Sequence, residues 1–236
     1  MKKINKRLTI VTNAILSLLL VIVISVAFVP TAIAPSSSKV DIEPKYNGNT
    51  QKARVSIMIN VYENSKIVEK MVNVFKGYNS HATFFVGGCW ADDNAKTLEY
   101  ILSNGNEIGN HGYFHKDHKK LNFDQNEQEI RLTEVMVKAL VGVKPTLFAP
   151  PSGSFSKTTL QVAEQLGYTV IMWTKDTIDW RDNDKDLLYK RATKNPSNGD
   201  LILMHPKEHS LEVLPKIIEF YLQKGYEIVT VSENLS

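Results

Sequence analysis

The sequence predicts an α/β fold of about seven parallel strands, built as an incomplete β/α barrel or a doubly wound sheet behind an N-terminal membrane segment. Short apolar, β-branched runs alternate with segments of helical period, the pattern of strands joined by crossover helices. Histidine, aspartate and tryptophan recur where those runs end, and functional side chains of such folds collect at strand C-termini. An uncharged run, Leu8–Val29, precedes all of this.

The N-terminus comes first. Lys2, Lys3, Lys6 and Arg7 lead into Leu8–Val29, and roughly 20 apolar residues are enough to cross a bilayer as a helix. Ala32-Ile33-Ala34 looks like a small-residue cleavage site. Pro35 follows at once, however, and the apolar run exceeds the usual signal core of about 7–15 residues. Residues 1–34 are therefore expected to be an uncleaved anchor. The cationic flank stays in the cytoplasm and the domain lies outside the cell membrane, with cleavage and secretion as the alternative. Residues 35–53, rich in turn formers, read as a flexible tether, and residues 54–236 as the folded domain.

Within the domain, strands are expected at 54–61, 82–87, 106–111, 146–149, 169–174, 201–205 and 227–231. Helices are expected at about 64–77, 92–104, 124–141, 156–166, 184–194 and 211–224. The net charge is +3, but four positive charges precede the apolar run, which leaves the remainder near −1. No basic stripe covers the domain, so nucleic acid is not expected as a partner, and no protein partner is indicated. Cys89 is the one cysteine, which excludes an internal disulfide; it reads as a buried, inert thiol.

The strand ends carry the chemistry. "HGYFH" places His111 and His115 four residues apart, a spacing that brings two imidazoles to one metal on a turn or tight loop. His118 and His209 read as surface residues. In chain order the strand ends are "MINVY" (58–62), "HGYFH" (111–115), "APPSG" (149–153), "DTIDW" (176–180) and "LILMH" (201–205). This series resembles the five motifs of the polysaccharide deacetylase family, also called the NodB-homology or carbohydrate esterase family 4 domain. Those motifs run Thr-Phe-Asp-Asp-Gly, His-Ser/Thr-x-x-His, Arg-Pro-Pro-Tyr-Gly, Asp-x-x-Asp-Trp and a leucine-rich strand ending in His. The resemblance covers about residues 53–235, and "APPSGSF" and "MHP" are similar to sporulation-associated members of spore-forming bacteria.

The resemblance implies a distorted (β/α) barrel of about seven strands and metal-dependent hydrolysis of N-acetyl groups from a cell-wall polysaccharide, a peptidoglycan or chitin-like N-acetylglucosamine polymer. It implies that His111 and His115 bind a divalent metal, zinc by preference. His205 is implied as general acid, with Asp179 as its orienting carboxylate. Trp180 and the loop Pro150, Pro151, Ser152, Gly153 are implied as the wall of the glycan groove. Asp176 caps its loop or reaches the groove.

The first motif departs from the pattern. Asn60 stands at the base position and Val61 at the metal-carboxylate position. Ala149 replaces the arginine that tethers the base, and Ser152 replaces the tyrosine. An amide accepts no proton at neutral pH and valine offers a metal nothing. The metal is therefore expected to bind weakly, with Asp117 or Glu63 as possible extra ligands. The leading expectation is a deacetylase with a degenerate first motif. A non-catalytic cell-wall glycan-binding protein on the same barrel is the alternative, and a metal-free structural relic the third reading.

Overall fold

The computed structural model describes residues 42–236; the apolar run Leu8–Val29 and the start of the tether lie outside the described residues. Among the described residues no helix is long and apolar enough to cross a membrane.

The chain runs β1 (Arg54–Val61), α1 (Ser65–Gly77), β2 (Thr83–Val86), α2 (Gly88–Asp92), α3 (Ala95–Ser103), β3 (Glu107–Asn110) and α4 (Phe123–Val141). It continues through β4 (Leu147–Phe148), α5 (Lys157–Gln165), β5 (Thr169–Val170), β6 (Lys175–Asp176), α6 (Lys185–Thr193), β7 (Leu201–Met204), α7 (Glu208–Gln223), β8 (Glu227–Ile228) and α8 (Val231–Leu235). Seven strands pair in parallel in the order β5-β4-β3-β2-β1-β7-β6. Strand β8 pairs with Arg54 and Val55, and the Ile228 carbonyl accepts from His81 N–H, so β8 wedges between β1 and the chain entering β2.

The sheet curls into a half-barrel, and connectivity requires it. Only residues 171–174 link the two edge strands β5 and β6. Five Cα steps span at most about 18 Å. A flat sheet of this order would hold those edges about 29 Å apart.

Strand β1 is central and buried on both faces, as parallel strands covered by helices are. Val55, Ile57, Ile59 and Val61 join the outer core with Val68, Met71 and Phe75 of α1 and Leu214, Ile217 and Tyr221 of α7. Met58 joins the inner core with Phe85, Ala149, Ile171 and Leu203. A third cluster around Phe148, Leu160 and Val170 takes in Ile42 and Phe155.

Three features differ from the sequence expectations. The tether was expected to be flexible through residue 53, yet from Ile42 onward the chain lies on the domain. Lys45 bridges in parallel to Ile171, and Gly48 N–H donates to Gly199 O at 2.7 Å. An unpaired edge strand is a template for an extended segment, and β5 is such an edge. The helix expected at 92–104 is two helices, interrupted at Asn94, whose Nδ2 donates to the Trp90 carbonyl at 2.7 Å. Strand β6 is short and polar and has no apolar signature.

A buried ion pair fixes β6 beside β7. Lys175 Nζ lies 3.1 Å from Asp200 Oδ2, with the two side chains 10% and 5% exposed. Asp200 also accepts from Thr174 Oγ1 and Ser197 N–H, and Lys175 donates to the carbonyls of Lys194 and Asn195. Asp200→Ala leaves a buried ammonium without its counter-charge. Denaturant unfolding is expected to show a loss of about 3–5 kcal/mol, with a smaller loss for Asp200→Asn.

Candidate functional site

A cleft of about 450 Å³ opens at the C-terminal ends of the strands. Asn60 and Tyr62 reach it from the end of β1, His111 and His115 from the loop after β3, and Ser152 and Gly153 from the loop after β4. Asp176 and Trp180 reach it from β6 and the loop that follows, and His205 from the end of β7.

One wall carries the imidazole pair. The His111 ring nitrogen Nδ1 lies 2.7 Å from the Ala149 carbonyl, to which it donates, so Nε2 keeps its lone pair. His111 is 2% exposed. Burial, reinforced by the neighbouring His115, pushes its pKa down to about 3, so the ring is neutral at physiological pH. Burial lowers His115 as well. The two ring centroids stand 5.1 Å apart, with an angle of 69° between planes.

The loop that brings the pair together is strained and has a dedicated support. Gly112 (φ +70°) and His115 (φ +54°) are both left-handed, and the second is unfavourable for a residue with a Cβ. Glu129 of α4, itself 2% exposed, holds this shape. Its Oε2 accepts from Tyr113 N–H at 2.9 Å and Phe114 N–H at 2.8 Å, while Lys116 Nζ lies 3.1 Å from Oε1. Tyr62 lies against the His115 ring at 5.0 Å between centroids. Gly87 makes room for it, since a Cβ there would come within 2.3 Å of the Tyr62 ring.

The opposite wall is a histidine–carboxylate dyad. His205 Nδ1 donates to Asp179 Oδ1 at 2.7 Å. Asp179 Oδ2 accepts from His205 N–H at 2.7 Å and from Ser210 Oγ at 2.6 Å. Burial alone would raise the Asp179 pKa, but the hydrogen bonds from His205 and Ser210 outweigh it and hold the carboxyl below its ordinary value. Asp176 caps its own loop, Oδ1 accepting from Ile178 N–H at 2.8 Å, and also lines the cleft.

Several expected positions are corrected. His118 is buried, not on the surface: its Nδ1 pairs with Asn126 Oδ1 at 2.7 Å and its ring packs 5.0 Å from Phe148. His209 is half-buried, with Nε2 2.9 Å from the Asp179 carbonyl oxygen. Cys89 is exposed, because the short helix α2 turns it to solvent. Of the loop expected to wall the groove, Ser152 and Gly153 line the cleft, while Pro150 and Pro151 are buried. Trp180 is 56% exposed and lines the cleft.

Neither carboxylate expected as an extra metal ligand is available. Asp117 takes a hydrogen bond from Ser154 Oγ at 2.5 Å and pairs with Lys120. Glu63 pairs with Lys207. Val61 is fully buried in the outer core. Among the described residues no group of three His, Cys, Asp or Glu is placed to hold a metal ion. Asn60 lines the cleft, 5% exposed, and its Oδ1 has no hydrogen-bond partner among the described residues.

A histidine pair and a histidine–carboxylate dyad line one cleft, and several known proteins are similar to this chain. Residues 47–171 match the family model for polysaccharide deacetylase. Over 191 residues the chain is 30% identical to a peptidoglycan-N-acetylglucosamine deacetylase of Bacillus cereus, covering 79% of this chain and 70% of that protein. The chain belongs to the polysaccharide deacetylase family. It is also 38% identical over 191 residues to the uncharacterized protein YlxY of Bacillus subtilis, covering 81% of this chain but 60% of YlxY. Its fold matches the crystal structure of BA3943, a carbohydrate esterase family 4 pseudoenzyme of Bacillus anthracis. The TM-score is 0.80 at 32% identity, over 83% of this chain and 69% of that one. A BA3943 mutant with restored enzymatic activity matches with the same TM-score.

The family is typically metal-dependent. The residues here fit a divalent cation in part. Two imidazoles and an unpartnered amide oxygen suit a borderline ion such as zinc, but no carboxylate adds charge. His111 and His115 would hold it.

Nothing in the sequence marks Glu129: it is a charged residue on the buried face of α4, outside every motif, and only the fold brings it to the N–H groups of Tyr113 and Phe114. Titration of zinc into metal-stripped protein tests its part. Glu129→Ala is expected to weaken binding about 10- to 100-fold, the usual cost of losing a group that orients a metal ligand. Glu129→Gln, which keeps an acceptor oxygen, is expected to lose less, and His111→Ala to lose nearly all binding. Unchanged affinity in folded Glu129→Ala would mean that the loop holds itself.

Proposed function

We propose that this chain binds the N-acetylated glycan of the bacterial cell wall, with peptidoglycan as the first choice, and turns it over slowly or not at all. The observation that carries the reading is Asn60. The base position holds an amide, which accepts no proton at neutral pH, and a positioned general base is typically worth about 10²–10⁴-fold in rate. The exposed Trp180 offers an aromatic face of the kind on which a sugar ring stacks. The fold match to BA3943, a pseudoenzyme, supports the same reading.

A second reading, a slow metal-dependent deacetylase, is favoured by the dyad. His205 with Asp179 has the hydrogen bonding of a general acid ready to protonate a leaving amine. A bound cation would polarise the acetamide carbonyl and acidify water. His111 and His115 would hold that cation, and Tyr62 and Trp180 would flank the sugar. We also propose that residues 1–34 anchor the protein in the cell membrane, which would present the cleft to the wall.

Acetate release from an N-acetylglucosamine oligomer, measured with zinc present, separates the readings. The unmodified protein is expected to release little. Asn60→Asp combined with Ala149→Arg is expected to raise the rate by about 10²–10⁴-fold, and Ala149→Arg alone to do nothing useful, since it adds an unpaired cation. Val61→Asp is expected to destabilise the protein, because its side chain points into the outer apolar core. Rapid acetate release by the unmodified protein would overturn the binding reading in favour of the second.

A further inference from the structure

We infer that Asn60 makes the cleft a reader of acetylation state: it selects glycan whose amino sugar carries a neutral acetamide over glycan carrying a free ammonium. This rests on the glycan-binding reading above and assigns the residue that sets its specificity.

The first ground is an unpaired group. Asn60 lies at the end of the central strand, 5% exposed, and its Oδ1 has no hydrogen-bond partner among the described residues. A buried polar atom left unpaired costs about 1–3 kcal/mol. Asn60 lines the cleft, and although Oδ1 is itself turned away from solvent, a turn of the terminal amide brings it to a ligand donor and removes that cost. An acetamide matches the side-chain amide group for group. Each has a carbonyl acceptor and an N–H donor, and two amides can lie side by side with two reciprocal hydrogen bonds. The terminal amide torsion of asparagine is soft, so either end can turn to the ligand.

The second ground is charge. An ammonium taken out of water needs a counter-charge. The carboxylates near the cleft are largely committed elsewhere. Glu63 lines the cleft as well, but its charge is balanced there by Lys207, with which it pairs. Asp179 takes three hydrogen bonds from His205 and Ser210. Asp176 gives one oxygen to Ile178 N–H. The groups nearest the acyl end of a bound sugar would then be an amide and imidazoles. An aspartate at position 60 would supply the missing anion, so the amide both accommodates the acetylated form and withdraws support from the free amine.

A sugar hydroxyl could also satisfy Asn60 Oδ1, and the test separates the two donors. Binding is measured by titration calorimetry at neutral pH, with chelator present to remove any metal. The probes are β-1,4-linked tetramers of N-acetylglucosamine, glucosamine and glucose. The full-length protein in detergent is expected to bind the acetylated tetramer at least about tenfold tighter than either of the others, the effect of one hydrogen-bonded contact of about 1.4 kcal/mol. Asn60→Leu, similar in size and without hydrogen-bonding groups, is expected to lose that preference. Asn60→Asp, the same shape with a charge, is expected to shift the preference toward the glucosamine tetramer, and its near-identical volume guards against a folding failure in the leucine variant. Equal binding of the three tetramers by the unmodified protein would overturn the inference while leaving glycan binding standing. A preference that survives in Asn60→Leu would do the same. Failure to bind any tetramer would overturn the glycan-binding reading itself.

Discussion

Strand β1 is buried on both faces, and its two-residue alternation decides what the site can contain. Odd-numbered residues from Val55 to Val61 belong to the outer core, where α1 and α7 cover them. Even-numbered positions face inward, with Met58 in the inner core and Asn60 on the cleft. The same strand carries β2, β7 and β8 as direct neighbours, so its register also places His111 and His205 through β2–β3 and β7. A residue at 60 is thus a cleft residue, and a residue at 61 is a core residue. Valine at 61 is well suited to that second place: it is β-branched, apolar and fully buried.

Each of the two walls of the cleft carries its own supports. The His205–Asp179 wall is self-sufficient. The carboxylate is satisfied by a ring nitrogen, a backbone N–H and a serine hydroxyl, all supplied by β7 and the first turn of α7. The imidazole pair is likewise held by its own supports, the Ala149 carbonyl and Glu129. A base carboxylate at 60 and a guanidinium at 149 would instead need one another, because either alone is an unpaired charge in a low-dielectric pocket. Their joint replacement by an amide and a methyl removes both charges at once and leaves the neighbouring walls intact. Ala149 itself packs in the inner core with Phe85, Leu147 and Ile171.

What could be read from the sequence follows what each element buries. Strands β1, β2 and β7 announce themselves as continuous apolar runs because both faces are covered. Helices α1, α4, α5 and α6 fall close to their expected spans because one face of each is apolar. Strand β6 does not, since Lys175 and Asp176 are polar and are held by the Lys175–Asp200 pair and by pairing with β7. His118 reads as a solvated histidine among Lys116, Asp117, Lys119 and Lys120, and only the fold brings Asn126 and Phe148 around it. The site shows the same split. His111, His115, His205, Asp179 and Trp180 could be picked out from motif order, whereas Glu129 and Tyr62 act at positions outside any such pattern or against it. Tyr62 stands where the family motif has glycine, and its room comes from Gly87, 25 residues later.

Replacing a carboxylate by its amide changes charge without changing shape, and this separates recognition from turnover. A cleft built to hold a sugar polymer keeps its width, its aromatic faces and its hydrogen-bonding directions when residue 60 is asparagine. It loses a proton acceptor and a negative charge. The first loss acts on the chemical step alone. The second weakens any cation held by His111 and His115, and it removes the counter-ion that would steady the amine product. Both losses spare the neutral acetamide of an intact glycan. On the glycan-binding reading proposed above, the exchanges at positions 60 and 149 together would turn the molecule from processing its ligand toward retaining it. The coherence of the change lies in the coupled charges of positions 60 and 149, with no rearrangement of the barrel required.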